Sequence, residues 1–479
     1  MDKINFFLGY TGKPPYDENA PAEVLSTFQQ AVLGLLVDYD EDLKLKPSLL
    51  ESWYWDFKSS KYILTLKDNI YFHNGRRATS ADLEYSLIRG FFSKNKSFYQ
   101  IYLNNIVGVD KVKPTDKFES GIIEGIKIES DRSVSVKITN FNPTWIYVLT
   151  RPYFSLVPRE ALQSNNLLWK DLPVGAGPYK IKTPYANGSI EIEKIDKNVN
   201  GPSHVILHTE YNEKIKYDLS LKELPDRNTY EVLQSKYPLV IWGIFFNNVN
   251  DLGSNKDFKK AVMYAIDRTE IIAGDSSAKP AYEPLTSLIW GRNNTKYNPD
   301  LKKSLSYIEK IKNYPKNEKI KIPVFSGTKI TESRQKKLDI ISKQLKMIGL
   351  NVEFFATSEK FISRDVAKSS PFIISGRVAN MLDPLLMFAS YRKNSPYEFE
   401  SPKDDSAFEN LYTHALNTKD EKPRLKAIQN LSKHVTDEAI MIPMLEIKSE
   451  FFYQEKSIKS IGNQFKAQTL DLSKVILND

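Results

Sequence analysis

Residues 319–355, KIKIPVFSGTKITESRQKKLDIISKQLKMIGLNVEFF, predict a strand, a helix and a second strand. Lys319–Phe325 and Asn351–Phe355 are short apolar runs of strand length, and Thr331–Ile348 has helical periodicity. One face of that helix carries four apolar residues, Leu338, Ile341, Leu345 and Ile348. Gly349 follows the helix where a left-handed C-cap is expected. A strand–helix–strand unit implies parallel strands with a right-handed connection, so this part of the chain is predicted to be α/β.

The same patterns recur on either side of this unit. Predicted strands and sheet segments are Ile4–Tyr10, Lys61–Lys67, Gly121–Ile138, Tyr179–Thr183 and Ala439–Ile447. Predicted helices are Ala22–Leu36, Ser254–Gly274, Ser406–Leu416 and Asp420–Val435, together with one that Thr79 or Ser80 caps. Ser254 and Asp257 are spaced as a capping box, and the glycine- and proline-containing stretch Leu172–Tyr179 predicts a rigid turn.

Composition narrows the class of protein. The 479 residues are 41% hydrophobic and only 26% charged, so the chain is predicted to fold, into two or three lobes by its length. It has no cysteine, which excludes thiol catalysis and thiolate metal sites. The formal net charge of +8 is densest at Lys302–Lys321, where a solvated surface is the simplest interpretation. The sequence has no basic stripe with interleaved aromatic residues, so a nucleic-acid partner is not predicted.

The N-terminal residues do not resemble a secretion signal, since Met1–Phe7 lacks the succession of basic, apolar and small residues. The sequence therefore leaves a cytoplasmic location and the removal of a leader as alternatives. No apolar run approaches the roughly 18 residues that a membrane span needs.

Several short segments, in order, resemble the bacterial solute-binding protein family that includes oligopeptide-, dipeptide- and nickel-binding receptors. The most specific block combines Phe72–Gly75, Thr79–Ser86 and Arg89. The others are Gly34–Leu36 with Leu45–Trp53, the turn Val174–Tyr179, the helix end Ala265–Arg268, Asp383-Pro384, Thr418–Arg424 and Ile442-Pro443. Leu50 departs from the family pattern, which usually has alanine there.

The resemblance implies a periplasmic-binding-protein type II (cluster C) fold, with two α/β lobes, strands that cross the hinge and an extra inserted lobe. Lobe I is expected to comprise residues 1–43, 168–243 and 450–479. Lobe II is expected at 44–167 and lobe III at 244–449. The crossings are predicted near Ile241–Asn247 and Met444–Phe452.

The implied function is that of an extracytoplasmic receptor for an ABC importer, which binds a peptide or peptide-like ligand by hinge closure and performs no covalent chemistry. The expected partners are the small ligand and the importer's permease subunits, with no cofactor, metal or nucleic acid, and the chain is expected to be a monomer. The expected location is the periplasm, or the outer face of the cytoplasmic membrane as a lipoprotein whose leader is absent from this chain.

The candidate ligand-binding residues follow from the same resemblance. Asp383 is expected to pair with a ligand ammonium, or else to be a turn residue before Pro384. Arg377 stands where tryptophan is common and offers a planar fork for a carboxylate or phosphate, or else forms a surface ion pair. Asn380 occupies the acidic position of oligopeptide receptors, which puts a generic peptide ligand in doubt. The aromatic candidates are Trp242, Phe246, Trp290, Tyr391 and Tyr10, each of which is also suited to the core.

Three other functions stay open from the residues alone. A nickel-type or other small-molecule receptor would use the same fold, but only His204 and His208 among the five histidines are closely spaced. A stand-alone sensor would keep the fold without an importer. A hydrolase is the most distant alternative, because no glycine-x-serine-x-glycine elbow and no cysteine nucleophile occur.

Overall fold

The chain divides into two compact units in the computed structural model. Unit 1 comprises Met1–Leu233 and Phe451–Asp479, and unit 2 is Gln234–Glu450. The described residues are 3–9, 11–17, 22–92, 100–139, 142, 145–272, 274–325, 330–357, 369–379, 381–393, 395, 399–402, 405–418, 420–466 and 469–478.

Two strands, β12 (Glu231–Phe246) and β17 (Met441–Tyr453), have residues in both units. The chain passes from unit 1 to unit 2 at residues 233–234 and returns at residues 450–451. The return lies inside the predicted crossing Met444–Phe452, whereas the first passage precedes the predicted crossing Ile241–Asn247. The separate inserted lobe at 44–167 stays a prediction.

Unit 1 contains mostly short strands. They are β1 (Lys3–Phe7), β2 (Val37–Tyr39), β3 (Leu45–Pro47), β4 (Leu50–Asp56), β5 (Lys61–Leu66), β6 (Ile126–Ile128), β7 (Ser133–Lys137), β8 (Tyr179–Ala186), β9 (Ser189–Lys194), β10 (His204–His208), β11 (Leu219–Ser220), β18 (Ile458–Ser460) and β19 (Ile476–Leu477). The helices are α1 (Ala22–Val32), α2 (Ser80–Ile88) and α3 (Gln100–Leu103).

The main sheet of unit 1 has the order β11-β1-β10-β9-β8, with the last residues of β17 beside β11. Strand β1 is parallel to both β10 and β11. Ile4 and Phe6 of β1, and Leu8 just after it, point into a core that also contains Phe28 and Val32 of α1. A second, antiparallel sheet has the order β4-β5-β7-β6. In β5, Tyr62, Leu64 and Leu66 are buried and the residues between them are partly exposed, so the two faces of this strand differ as predicted.

Two of the sequence motifs meet in unit 1. The Nε2 of His73 lies 3.0 Å from the carbonyl oxygen of Gly177, and the backbone N–H of His73 donates to the carbonyl of Gly175 at 2.9 Å. A Cβ on Gly177 would lie 2.4 Å from the carbonyl oxygen of Ala31 at the end of α1. Glycine is required there because the turn passes so close to the helix. The predicted turn is confirmed, and it leads directly into β8.

Unit 2 has a mixed sheet and several helices. Its further strands are β13 (Ala278–Pro280), β14 (Lys319–Phe325), β15 (Asn351–Thr357) and β16 (Phe372–Val378). Its helices are α4 (Asp251–Ser254), α5 (Lys256–Ala265), α6 (Arg268–Ile271), α7 (Leu301–Ile308), α8 (Glu332–Lys346), α9 (Pro384–Phe388), α10 (Ser406–Asn417) and α11 (Glu421–Asp437). The strand order is β15-β14-β16-β12-β17, with β13 also beside β17.

The predicted strand–helix–strand unit is confirmed. Strands β14 and β15 are parallel, with Lys319 opposite Asn351 and Phe325 opposite Thr357. The Thr331 side chain caps α8 by accepting from the backbone N–H of Arg334. Gly349 has a φ of +75°, the left-handed conformation predicted for it.

The single helix predicted over Ser254–Gly274 is wrong, because the structure has two helices there. The Asn255 side chain, not Ser254, caps α5 by accepting from the N–H of Phe258 at 3.0 Å. Asp267 then caps α6 by accepting from the N–H of Thr269 at 2.9 Å. An aspartate that bonds to the backbone two residues later favours a new helix start over continuation of the old one.

Candidate functional site

Arg377 lies on β16 and forms an ion pair with Glu400. Its guanidinium is also 4.8 Å from the centre of the Phe245 ring on the neighbouring strand β12. Glu400 is only 2% exposed, and burial raises the pKa of its carboxyl group while Arg377 opposes that rise. The structure thus places Arg377 in an ion pair, although its partner is a buried carboxylate and not the surface partner that the sequence suggested. A ligand carboxylate would have to share the guanidinium with Glu400.

Tyr391 belongs to the same cluster. Burial and the charge of Glu400 raise the pKa of its hydroxyl, and Arg377 lowers it less strongly. The hydroxyl therefore stays protonated at neutral pH. Arg377, Glu400, Tyr391 and Phe245 form what we call the arginine cluster.

A series of hydrogen bonds through Asn248 and Lys259 also holds Glu400 in place. The backbone N–H of Asn248 donates to the carbonyl of Phe399 at 2.6 Å, and its side-chain amide donates to the carbonyl of Glu400 at 2.9 Å. The Nζ of Lys259 donates in turn to the Asn248 side chain at 2.6 Å. Lys259 is 4% exposed, and burial lowers its pKa to about 8. The position of Glu400 thus depends on a residue of helix α5.

Asp383 acts locally as a helix cap. Its Oδ1 accepts from the backbone N–H of Leu385 at 3.0 Å, and Pro384 occupies the first position of α9. The side chain is completely buried. This geometry matches the role of a residue before proline that the sequence left open. Contact between Asp383 and a ligand ammonium stays a prediction.

The aromatic candidates occupy different environments. Trp242 and Phe246 belong to the core of unit 2, together with Ile244 on the same face of β12. The indole N–H of Trp242 is buried and has no hydrogen-bond partner among the described residues. Trp290 is 38% exposed, and the guanidinium of Arg424 lies 5.8 Å from its ring. Tyr10 and Asn380, the other two candidates, lie outside the described residues.

Unit 1 has a polar cavity of about 360 Å³ that the sequence analysis missed. It lies where the chain leaves β10, and β10 is parallel to β1. Open α/β sheets bind ligands at the carboxyl ends of their strands, which is the signal that points to this cavity. The signal was not available from the sequence, because β10 is not among the predicted strands. The lining residues are Asn187, His208, Glu210, Tyr211, Asn212, Glu213 and Ile215.

The charges around this cavity favour a cation or a hydrogen-bond donor. Glu210 and Glu213 supply carboxylates, and none of the described residues that line the cavity is a lysine or arginine. His208 adds no positive charge at neutral pH, because burial lowers its pKa to about 4. Its Nε2 lies 3.0 Å from the Asn5 side-chain oxygen. The cavity can therefore accept an ammonium group or amide N–H groups.

The histidines do not form a metal centre within the ranges described. No cluster of three or more histidine, cysteine, aspartate or glutamate side chains is placed there to hold a metal ion. His204 lies 3.5 Å from Glu191, and His434 lies 2.9 Å from Asp405. Likewise, the described helices include none long and apolar enough to cross a membrane.

Comparison with known proteins agrees with the resemblance seen in the sequence. Residues 44–205 and 208–399 match the bacterial extracellular solute-binding proteins, family 5, middle region. The oligopeptide-binding protein OppA of Bacillus subtilis is 21% identical over 436 residues, which cover 84% of this chain and 79% of that protein. The dipeptide-binding protein DppE of Bacillus subtilis is 22% identical over 466 residues, covering 88% and 82%.

The fold has a solved counterpart. Haemophilus influenzae OppA in complex with the peptide RPPGFSPFR has a TM-score of 0.81 and 16% identity to this chain, over 99% of each. At that identity the likeness concerns the fold alone. It confirms the predicted α/β class and the type II periplasmic-binding-protein fold.

Proposed function

The chain belongs to the bacterial extracellular solute-binding proteins of family 5, and from this premise we propose that it is the receptor of an ABC importer for a peptide or peptide-like ligand. The observation that carries the proposal is the match over most of its length to two proteins named for oligopeptide and dipeptide binding. The family consists of substrate-binding receptors. We propose that this chain likewise binds its ligand without a covalent step.

Each unit, taken by itself, has polar groups that suit a peptide ligand. We propose that the ligand carboxylate approaches Arg377, whose side chain is 20% exposed and can share its donors between Glu400 and a second anion. The carboxylates of Glu210 and Glu213 suit a ligand ammonium or the amide groups of a peptide. Asp383 stays a candidate for the ammonium, although its complete burial favours the structural role.

The aromatic and amide candidates complete the proposed ligand set. Trp290 is the most exposed of the described aromatic candidates, so it is the one best placed for direct contact. Trp242, Phe246 and Tyr391 are buried. We propose that they hold in place strand β16, which carries Arg377, and the turn that carries Glu400. Tyr10 and Asn380 remain proposed contacts on the resemblance alone.

Native mass spectrometry of the purified chain tests the ligand class. The protein is incubated with a mixture of short synthetic peptides, single amino acids, sugars and nickel–histidine, and the bound masses are then released by denaturation. Retention of intact peptides supports the proposal. Retention of only a sugar or a metal complex would contradict it, and peptide fragments absent from a protein-free control would indicate a hydrolase.

The cellular setting is proposed on the same basis. We propose that the chain works outside the cytoplasmic membrane, held there as a lipoprotein, and delivers its ligand as a monomer to permease subunits. Metabolic labelling of the full precursor with a radioactive fatty acid would detect the lipid. Crosslinking in membranes that contain the importer would detect the permease partner, and its absence there would favour the stand-alone sensor.

A further inference from the structure

The net positive charge of this protein is confined to unit 2. Residues 234–450 contain 34 lysines and arginines against 26 aspartates and glutamates, whereas the rest of the chain has 33 of each. The excess is concentrated at residues 302–321, which hold seven lysines, two glutamates and no arginine. All seven lysines are exposed.

The middle of this lysine-rich segment packs against the end of α8. The Tyr314 hydroxyl donates to the carbonyl of Ile348 at 3.1 Å, and the N–H of Asn317 donates to the carbonyl of Gly349 at 2.8 Å. A Cβ on Gly349 would lie 3.1 Å from the Lys316 side chain. Lys316 therefore lies beside Gly349, which follows the exposed Lys346 and Met347 at the end of α8. We call residues 301–321 and 343–347 the basic face.

Apolar side chains are exposed among these charges. In α7 only Ser304 is buried, where its hydroxyl donates to the carbonyl of Ala261 at 2.6 Å. Leu301 and Leu305, one turn apart on α7, are 40% and 39% exposed, and Met347 is 51% exposed. Tyr264 and Tyr307 stack on each other, and Lys303 and Lys310 lie over their rings at 4.1 and 4.7 Å, so basic and aromatic side chains adjoin along α7.

We propose that the basic face docks on the anionic surface of a phospholipid bilayer. A surface with negative headgroups attracts clustered lysines, and leucine and methionine side chains can enter the boundary between headgroups and acyl chains. Lysine is depleted at interfaces between proteins, where arginine is enriched. A face with lysines and no arginine at 302–321 therefore favours a lipid surface over a shaped protein partner. This docking is additional to ligand binding and does not depend on the ligand's identity.

Flotation with vesicles tests the docking on the full chain. Vesicles of equal parts phosphatidylglycerol and phosphatidylcholine are compared with vesicles of phosphatidylcholine alone. The partition coefficient of the triple variant Lys312→Glu/Lys316→Glu/Lys346→Glu is expected to fall at least about tenfold. Each lysine near an anionic surface contributes attraction to it, and each glutamate is repelled by it. Binding of the unaltered protein is expected to fall steeply with added salt.

A control variant with three charge reversals elsewhere distinguishes the effect of the basic face from the effect of net charge. Lys58→Glu/Lys113→Glu/Lys117→Glu reverses three exposed lysines of unit 1 and changes the net charge equally. It is expected to keep vesicle binding, and all variants should keep the wild-type melting temperature and peptide affinity. Equal losses in both triples, or no binding of the unaltered protein to anionic vesicles at low salt, would overturn the proposal.

The apolar residues provide a second readout. Leu301→Ser/Met347→Ser removes exposed apolar side chains without a change in charge, and it is expected to weaken vesicle binding several-fold. The contrary outcome is that this variant binds vesicles as well as the wild type does, while polyglutamate with the same total negative charge as the vesicles displaces the protein from them completely. The basic face would then recognise an acidic polymer. That result would overturn the assignment to a bilayer and leave the proposed peptide binding unaffected.

Discussion

The Nε of Arg268 donates a hydrogen bond of 2.8 Å to the carbonyl oxygen of Pro443, a residue 175 positions away in the sequence. The same guanidinium donates to the carbonyls of Ala281 and Ile266 and to the Tyr297 hydroxyl, at 3.0, 3.0 and 2.7 Å. Arg268 is 2% exposed, and burial lowers its pKa. The arginine of one family motif therefore joins α6 to the proline of another motif on β17.

Replacement of Arg268 by lysine is expected to destabilise the protein. Lysine keeps the charge but lacks the planar fork, so buried carbonyl groups would lose their donors. We expect a loss of about 2–4 kcal/mol in the free energy of unfolding, measured by denaturant titration. Arg77→Lys, at a side chain 42% exposed, is the control and should change stability little. Equal small effects would show that the Arg268 contacts contribute little.

Substitutions of Arg377 and of Glu400 should change peptide affinity in opposite directions. Arg377→Met removes the proposed carboxylate contact, and we expect peptide binding to weaken at least about tenfold in calorimetry. Glu400→Gln removes the anion that competes with the ligand carboxylate for Arg377, so we expect binding to strengthen while the melting temperature falls. Unchanged affinity in Arg377→Met would leave the ion pair as a structural feature only.

Asp383 can be tested with two substitutions that separate charge from capping. The side-chain amide oxygen introduced by Asp383→Asn can still accept the N–H of Leu385, so stability should be kept. Asp383→Ala loses the cap and should cost about 1 kcal/mol in unfolding experiments. If the carboxylate contacts a ligand ammonium, both variants bind peptide at least about tenfold more weakly. Wild-type affinity in Asp383→Asn would contradict that contact.

Lys259 should make stability depend on alkaline pH. Its pKa is lowered to about 8 by burial, so above that pH the folded protein holds one proton fewer than the unfolded chain, until the ordinary lysine pKa is passed. The free energy of unfolding should therefore rise from pH 8 towards pH 10.5, relative to Lys259→Met, by up to about 3 kcal/mol. Denaturant titrations of both proteins at several pH values measure the difference. A constant difference would show that the pKa is ordinary.

The sequence alone was sufficient where structure follows from neighbouring residues. The periodicity of Thr331–Ile348 and the apolar strands beside it determine β14, α8 and β15, because side chains on one face of an element must be buried together. The same local chemistry left both roles of Asp383 open, since an aspartate before proline suits a cap as well as a ligand contact. Ser254 and Asn255 are both residue types that cap helices, so residue type alone does not decide which of them begins α5.

Only the tertiary structure decided which distant groups meet. Arg377 and Glu400 lie on a strand and in a later turn, and no periodicity links them, so their ion pair could not be read from spacing. The cavity beside His208 and Glu210 likewise depends on how β10 lies beside β1 and on where the chain then turns. Charge can be counted along a sequence, but the pKa and availability of each charged group depend on burial and on partners, which the folded chain alone provides.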